Sequence, residues 1–272
     1  MTGVFEAVAA AGFFPGVIAT GLVIGLRAGS DRVSERLAIA PALGMLVWAV
    51  PMVVMAGLDL YRPWQFGFVG WLVTVLLVQS LIRQIQRQPI RFDPVWFLVL
   101  IVAVVYGLLS LAFTGETFLG GRDQGGYANH ALHIARTGSL WIDFPFEGFG
   151  ESRFGPFHFL QNLSNLYFTP EGMEAQFPPA YAIWMAQAVQ VFGRFGVLGF
   201  NPVMAALSVP LFFGLARRFL DRSASLVALC VFLLTPIQIW MPRITLSEIT
   251  AQHFVFAAML VITGGWLDRR VR

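Results

Sequence analysis

The sequence is dominated by apolar runs that are each about as long as a helix crossing a bilayer. They cover residues 8–26, 38–57, 65–82, 95–114, 199–216, 224–241 and 250–267, and a shorter run covers 179–195. A transmembrane helix needs roughly 20 mostly apolar residues. We therefore predict an all-α, polytopic transmembrane helix bundle of seven or eight spans. Its parts are N-terminal helices 1–114, a large extracytoplasmic loop 115–177 with short amphipathic helices, and C-terminal helices 178–272.

Composition excludes the common soluble classes of protein. Of the 272 residues, 57% are hydrophobic and 12% are charged, whereas soluble domains carry about 25% charged residues. So few charges cannot cover a water-exposed surface, which excludes a soluble enzyme, a nucleic-acid-binding domain and a disordered chain. The one cysteine, Cys230, lies inside an apolar run, so we predict neither a disulfide nor a thiolate metal site.

The arginines predict the orientation, since cytoplasmic loops are enriched in basic residues. Four clusters lie between or after the apolar runs: Arg27, Arg32 and Arg36; Arg83, Arg87 and Arg91; Arg217, Arg218 and Arg222; and Arg269, Arg270 and Arg272. Placing them in the cytoplasm puts the loop 115–177 on the opposite face of a multi-pass protein of the plasma or inner membrane. The chain must then cross an odd number of times between this loop and Arg217. Either 179–195 is a membrane-edge or re-entrant helix, which we favour, or it is a second crossing.

The most informative polar segment is 120–138, near the start of the loop. Its spacing predicts a short helix with Asp123 at or near the N-cap, Gly138 as the C-cap, and an apolar stripe that would lie on the membrane surface. A carboxylate at this boundary can accept a proton from a hydroxyl nucleophile. It can equally serve only to cap the helix. Both interpretations stay open on spacing alone.

His130 and His133 in the same helix are spaced so that both can face one metal ion. Without a carboxylate placed beside them the signal is weak, and we expect solvated or hydrogen-bonded histidines. We predict no cofactor and assign no metal ligand; a divalent metal is possible, although the sequence does not indicate one.

Two further segments flank the C-terminal helices. Pro178-Pro179-Ala180-Tyr181 suits a rigid entry into a helix. The segment 235–248 forms an external turn in which Arg243 can hold a lipid-linked phosphate through paired hydrogen bonds. Glu248 at the start of the last apolar run suits the N-terminal acid of a helix. An interfacial arginine and a capping glutamate explain the same residues equally well.

In this order, the segments resemble the GT-C membrane glycosyltransferases, closest to the protein mannosyltransferase-like and aminoarabinose transferase-like branch. The pattern Asp-[Glu/Gln]-x-x-Tyr-x-x-x-Ala is matched at 123–131, Pro-Pro-x-Tyr at 178–181, an Ala-Arg-Arg turn at 216–218, and a Thr-Pro turn with Arg and an acid at 235–248. The resemblance covers roughly residues 95–267. The family's members are longer, so it implies a truncated or minimal N-terminal module.

The resemblance implies transfer of a sugar from a polyprenyl-phosphate donor, with inversion, to an acceptor on the extracytoplasmic face. Asp123 would be the catalytic base, and Gln124, Tyr127, Tyr181, Arg243 and Glu248 would bind substrate, with Arg243 at the donor phosphate. Expected partners are the lipid-linked donor, membrane lipids and an acceptor of unknown class. The alternatives are a non-catalytic membrane subunit or scaffold, which would tolerate loss of the Asp123 charge, and a transporter. Transport is disfavoured because the spans carry almost no acidic residues.

Overall fold

The computed structural model describes residues 2–27, 33–87, 93–115, 122–142, 166–169, 172–175 and 177–270. Most of the predicted loop 115–177, including its acidic residues Glu116, Asp143, Glu147, Glu151 and Glu171, lies outside the described residues.

Helices account for most of the described chain, as predicted. They are α1 (Thr2–Ala11), α2 (Phe13–Arg27), α3 (Val33–Gly57), α4 (Pro63–Arg87), α5 (Pro94–Ala112), α6 (Arg122–Thr137), α7 (Pro179–Phe192), α8 (Arg194–Ala216), α9 (Arg222–Leu234), α10 (Pro236–Trp240) and α11 (Glu248–Arg270), with a 3₁₀ turn over Met241–Arg243. The loop also contributes β1 (Trp141–Ile142), β2 (Leu166–Thr169) and β3 (Gly172–Ala175), which pair antiparallel in the order β1-β3-β2. The all-α expectation did not include this small sheet.

Five helical segments of the described chain are long and apolar enough to cross a membrane. They are Gly3–Gly25, Ser34–Gly57, Pro63–Arg83, Pro94–Ala112 and Arg194–Ala216, and a sixth is reached if α9 and α10 count as one broken span. The predicted count of seven or eight is therefore not confirmed. Where we predicted one span over 224–241, the two helices are bent by 61°. Thr235 is extended there (φ −65°, ψ 141°), because the residue before a proline avoids the helical region.

Close packing of small residues holds the N-terminal helices together. A Cβ at Gly21 of α2 would lie 1.8 Å from the Ala40 carbonyl oxygen, and one at Gly44 of α3 would lie 1.9 Å from that of Val17. Only glycine permits this approach of the α2 and α3 backbones, as is common where helices associate in a bilayer.

Helix α7 joins the two halves of the fold. Its residues from Tyr181 to Ala188 are all buried, and its Gln187 bonds to the N-terminal half. The Gln187 amide accepts from the Tyr61 hydroxyl at 2.8 Å and donates to the carbonyls of Ala10 (3.1 Å) and Pro63 (2.9 Å). Gln187, a polar residue within the short apolar run 179–195, is thus fully hydrogen-bonded inside the protein.

A buried ion pair joins Glu35, in the first turn of α3, to Arg218, which lies just after α8. Their side chains are 0% and 5% exposed. Asp93 and Asp221 cap α5 and α9, accepting from the Val95 and Ala224 backbone N–H groups, and Arg222 lies 4.0 Å from the Asp93 carboxylate. The cluster Arg217, Arg218 and Arg222 therefore follows α8 at the end away from α6.

Candidate functional site

Helix α6 lies on α7 and carries the predicted acid at its start. The helix begins at Arg122, so Asp123 occupies the first turn rather than the N-cap, and its side chain is exposed. Gly138 ends the helix with φ +80° and donates to the Ile134 carbonyl at 2.9 Å, as predicted for a C-cap. The apolar stripe is buried at Tyr127, Ala131 and Ile134. It packs in the core that includes α7, so the expectation that this stripe lies on the membrane surface is wrong.

Tyr127 connects α6 to the start of α11. Its hydroxyl lies 3.0 Å from the Oγ of Ser247. Its ring stacks on Phe177 at a centroid distance of 4.5 Å and meets Tyr181 edge-on at 4.8 Å. The three aromatic rings and one hydrogen bond therefore fix one face of α6 against α7 and α11.

Asn201 of α8 holds the segment that precedes α11. Its amide nitrogen donates to the carbonyls of Ile244 and Leu246, both at 2.6 Å, and its Oδ1 accepts from the Tyr181 hydroxyl at 3.0 Å. Asn201 is 1% exposed. All three bonds connect to buried or backbone groups, so this side chain determines where residues 244–246 lie.

Two more hydrogen bonds bring residues 243–245 to the ends of α5 and α6. The Thr245 hydroxyl donates to the Gln124 carbonyl at 2.9 Å, and the Gly115 N–H donates to the Arg243 carbonyl at 3.2 Å. The segment predicted to bind phosphate thus contacts the first turn of α6, where Asp123 lies. More than 100 residues of sequence separate the two elements.

Arg243 is half-buried, and its guanidinium lies over the Phe113 ring at 5.2 Å. Its Nε is buried and has no hydrogen-bond partner among the described residues. A buried guanidinium N–H is normally satisfied by an acceptor. The Nε of Arg243 is therefore a buried donor that no described residue accepts.

The electrostatics around Tyr127 place two carboxylates near its hydroxyl. Burial raises the pKa of Tyr127, and the carboxylates of Glu248 and Asp123 raise it further, while the hydrogen bond with Ser247 lowers it. Glu248 is exposed at the first turn of α11. Asp123 and Glu248 therefore both act on Tyr127 from exposed positions at one end of the bundle.

The structure brings Asp123, Gln124, Tyr127 and Glu248 together, with Arg243 on the adjoining turn. Tyr181 lies beneath them, and its hydroxyl donates a hydrogen bond to the Asn201 Oδ1. Sequence reasoning did not single out Asn201, Thr245, Ser247 or Phe177. An asparagine inside the apolar run 199–216 was the available signal, since polar groups in a membrane span usually bind one another.

The Nε2 atoms of the two histidines of α6 lie in different surroundings. His130 is buried, its Nε2 has no partner among the described residues, and burial lowers its pKa to about 4. The Nε2 of His133 lies 2.7 Å from the Trp141 carbonyl oxygen. Among the residues that the structure describes, no group of three or more His, Cys, Asp or Glu side chains is arranged to hold a metal ion.

Comparison with known proteins gives no relative. No protein-family model matches the chain, and no curated protein or solved structure matches it. Function must therefore be inferred from the arrangement of the chain's own residues.

Proposed function

We propose that the chain is a multi-pass membrane glycosyltransferase of the GT-C type, which moves a sugar from a polyprenyl-phosphate donor to an acceptor hydroxyl on the extracytoplasmic face. The contact between the first turn of α6 and residues 243–248 carries this proposal. It places an exposed carboxylate, Asp123, close to a turn that bears Arg243, a cation with an unpartnered donor.

Each residue has a role in a single displacement. Asp123 accepts the proton of the acceptor hydroxyl as its oxygen attacks the anomeric carbon. The bond from that carbon to the phosphate oxygen breaks, and the phosphate leaves on its lipid with both bonding electrons. Arg243 binds this phosphate and stabilises the charge that develops on it. Attack from the side opposite the leaving group inverts the anomeric configuration.

The two ends of the bundle support an extracytoplasmic site. Arg217, Arg218 and Arg222 follow α8 at one end, and α6 with residues 243–248 lies at the other. Because arginine-rich loops remain in the cytoplasm, Asp123 would then face outward, where polyprenyl-linked sugars can be used from the outer leaflet.

The test is donor binding and turnover by the purified chain in lipid nanodiscs. We expect saturable binding of a polyprenyl-phosphate sugar, weakened about tenfold to 100-fold by Arg243→Ala, since hydrogen bonds to charged groups contribute about 1.5–3 kcal/mol. Asp123→Asn should retain binding and lose about 100-fold to 10,000-fold in turnover, the usual contribution of a general base.

Asp59→Asn is the matched control, because Asp59 is exposed with φ 60° and asparagine tolerates that conformation. It should leave both binding and turnover unchanged. Absence of donor binding by the wild-type chain in every lipid tested would contradict the proposal. Full turnover by Asp123→Asn would remove Asp123 from the catalytic role, whereas donor binding without any turnover by the wild-type chain would favour a non-catalytic subunit or scaffold.

A further inference from the structure

An apolar groove runs between α3 and α4 on the outside of the bundle. It has a volume of about 380 Å³ and is lined by Val47, Trp48, Pro51 and Met55 of α3 and by Gln65, Phe66 and Val69 of α4, so that all but one of its lining side chains are apolar. Val47 and Val69 are 48% and 45% exposed, and both helices belong to the candidate spans. A groove of this lining within a span faces hydrocarbon, so its natural occupant is an apolar chain.

Arg62 is a cation just before the groove residues of α4 in the chain, although it does not itself line the groove. It directly precedes α4, and its carbonyl accepts from the N–H groups of Gln65 (3.0 Å) and Phe66 (3.4 Å), which places it one helical turn before the groove residues of α4. An arginine at the end of a membrane helix sits at the level of the lipid headgroups. The groove can therefore hold the hydrocarbon chain of a lipid while Arg62 binds the phosphate of its headgroup.

The guanidinium of Arg62 is held in place by two hydrogen bonds, and some of its N–H groups still have no acceptor among the described residues. Its Nη1 donates to the carbonyls of Tyr61 and Thr137, both at 2.8 Å. Among the described residues its Nε and Nη2 bind nothing, and the side chain is exposed. Two fixed carbonyl bonds reduce the entropy that this arginine loses when it binds an anion.

We propose that the groove between α3 and α4 binds one hydrocarbon chain of an anionic phospholipid, whose phosphate contacts Arg62. Charge complementarity selects an anionic lipid over a zwitterionic one, and the apolar lining selects a lipid over a soluble phosphate. The site lies at the α3–α4 end of α6, whereas Asp123 lies at the other end. It therefore does not depend on the proposed sugar transfer.

The test uses Trp48, a groove residue, as the reporter. The chain is reconstituted in bilayers that contain phosphatidylglycerol or phosphatidylcholine with brominated acyl chains, which quench nearby tryptophan fluorescence. The chain has eight tryptophans, so the quenching of Trp48 is obtained as the difference between the wild-type chain and Trp48→Phe. We expect this difference to show about a fivefold preference for phosphatidylglycerol, the contribution of one basic residue near an anionic surface. Equal quenching by the two lipids would overturn the proposal.

Two variants separate the headgroup from the chain. Arg62→Gln should abolish the preference for phosphatidylglycerol, and Arg62→Lys, which keeps the charge, should retain part of it. Val69→Phe should fill the groove and reduce quenching of Trp48 by either lipid. Val75→Phe on the same helix is the control, because Val75 is 64% exposed and does not line the groove. A preference that survives Arg62→Gln, or equal effects of the two valine variants, would contradict the assignment.

Discussion

The Tyr127 hydroxyl lies 3.0 Å from Ser247 Oγ, although 120 residues separate them in sequence. The Tyr127 ring packs independently of this bond, between Phe177 and Tyr181. The hydroxyl can therefore be removed without disturbing the stack, so the contribution of the link between α6 and α11 can be measured on its own.

Removing either hydroxyl should lower the free energy of unfolding by about 1 kcal/mol, the usual net value of a buried hydrogen bond. The variants are Tyr127→Phe and Ser247→Ala, measured by thermal or denaturant unfolding in detergent. The double variant should cost less than the sum of the singles, because both remove the same bond. Strict additivity would show that the two hydroxyls do not interact.

Replacement of Asn201 should lower the free energy of unfolding more than loss of the Tyr127–Ser247 bond, because three hydrogen bonds are lost at once. We expect Asn201→Ala to lower the free energy of unfolding by about 1–3 kcal/mol for the buried groups left unpaired. Asn201→Asp should be worse, since a carboxylate would face the carbonyls of Ile244 and Leu246. Tyr181→Phe, which removes one of the three bonds, should fall between wild type and Asn201→Ala. A smaller loss for Asn201→Ala than for Tyr181→Phe would contradict this order.

The sequence predicted the helical class and the two polar segments, because apolar periodicity and arginine placement are local signals. Asp123, Arg243 and Glu248 were singled out because each is a charged residue beside an apolar run, and their roles stay predictions. Asn201 and Thr245 were missed because the backbone carbonyls to which they donate lie more than 40 residues away in the chain. The predicted span over 224–241 is divided at Thr235-Pro236, where apolar composition continues but the backbone turns, and Glu248–Gly264, in α11, is a shorter apolar helix. A hydropathy pattern reflects only how apolar the residues are, so it cannot predict that the helix breaks at Thr235.

The close approach of α2 and α3 gives a third prediction. Gly44→Ala should lower the free energy of unfolding by about 1–3 kcal/mol, because the new methyl group overlaps the Val17 carbonyl and the backbones must separate. Gly199→Ala in α8 is the matched control, since its Cβ would meet only Leu111 at an ordinary 3.6 Å. That variant should be neutral or stabilising by up to about 1 kcal/mol, as expected for alanine over glycine in a helix. Equal effects would refute the backbone overlap.

Protonation of His130 should make stability depend on pH. Its pKa is lowered to about 4 in the folded protein, so as pH falls below about 6.5 the unfolded chain binds the proton first. The free energy of unfolding should therefore decrease by about 1.4 kcal/mol per pH unit from pH 6.5 towards 4, and level off below that. Unfolding measured between pH 4 and 8 tests this.

His130→Asn, which cannot titrate in this range, should remove that part of the slope. His133→Asn leaves His130 in place and should keep it. An unchanged slope in His130→Asn would assign the pH dependence to other groups.

The buried pair gives the largest expected loss. Arg218→Ala leaves the Glu35 carboxylate without its cation in a site that is 0% exposed, and breaking such a pair costs about 3–5 kcal/mol. Arg217→Ala is the control, because among the described residues the Arg217 side chain donates only to the Leu220 carbonyl three residues away. It should change the free energy of unfolding by less than about 1 kcal/mol. Similar losses for the two neighbouring arginines would contradict a specific pair.

The same pair constrains the order in which the molecule is assembled. Glu35 emerges during synthesis 183 residues before Arg218, and a carboxylate is costly to enclose until its cation is present. The beginning of α3 must therefore remain hydrated while the following helices are made. The first helices can insert early, but the Glu35–Arg218 pair can close only after α8 and Arg218 have been synthesised, so the two halves join after the N-terminal helices have inserted.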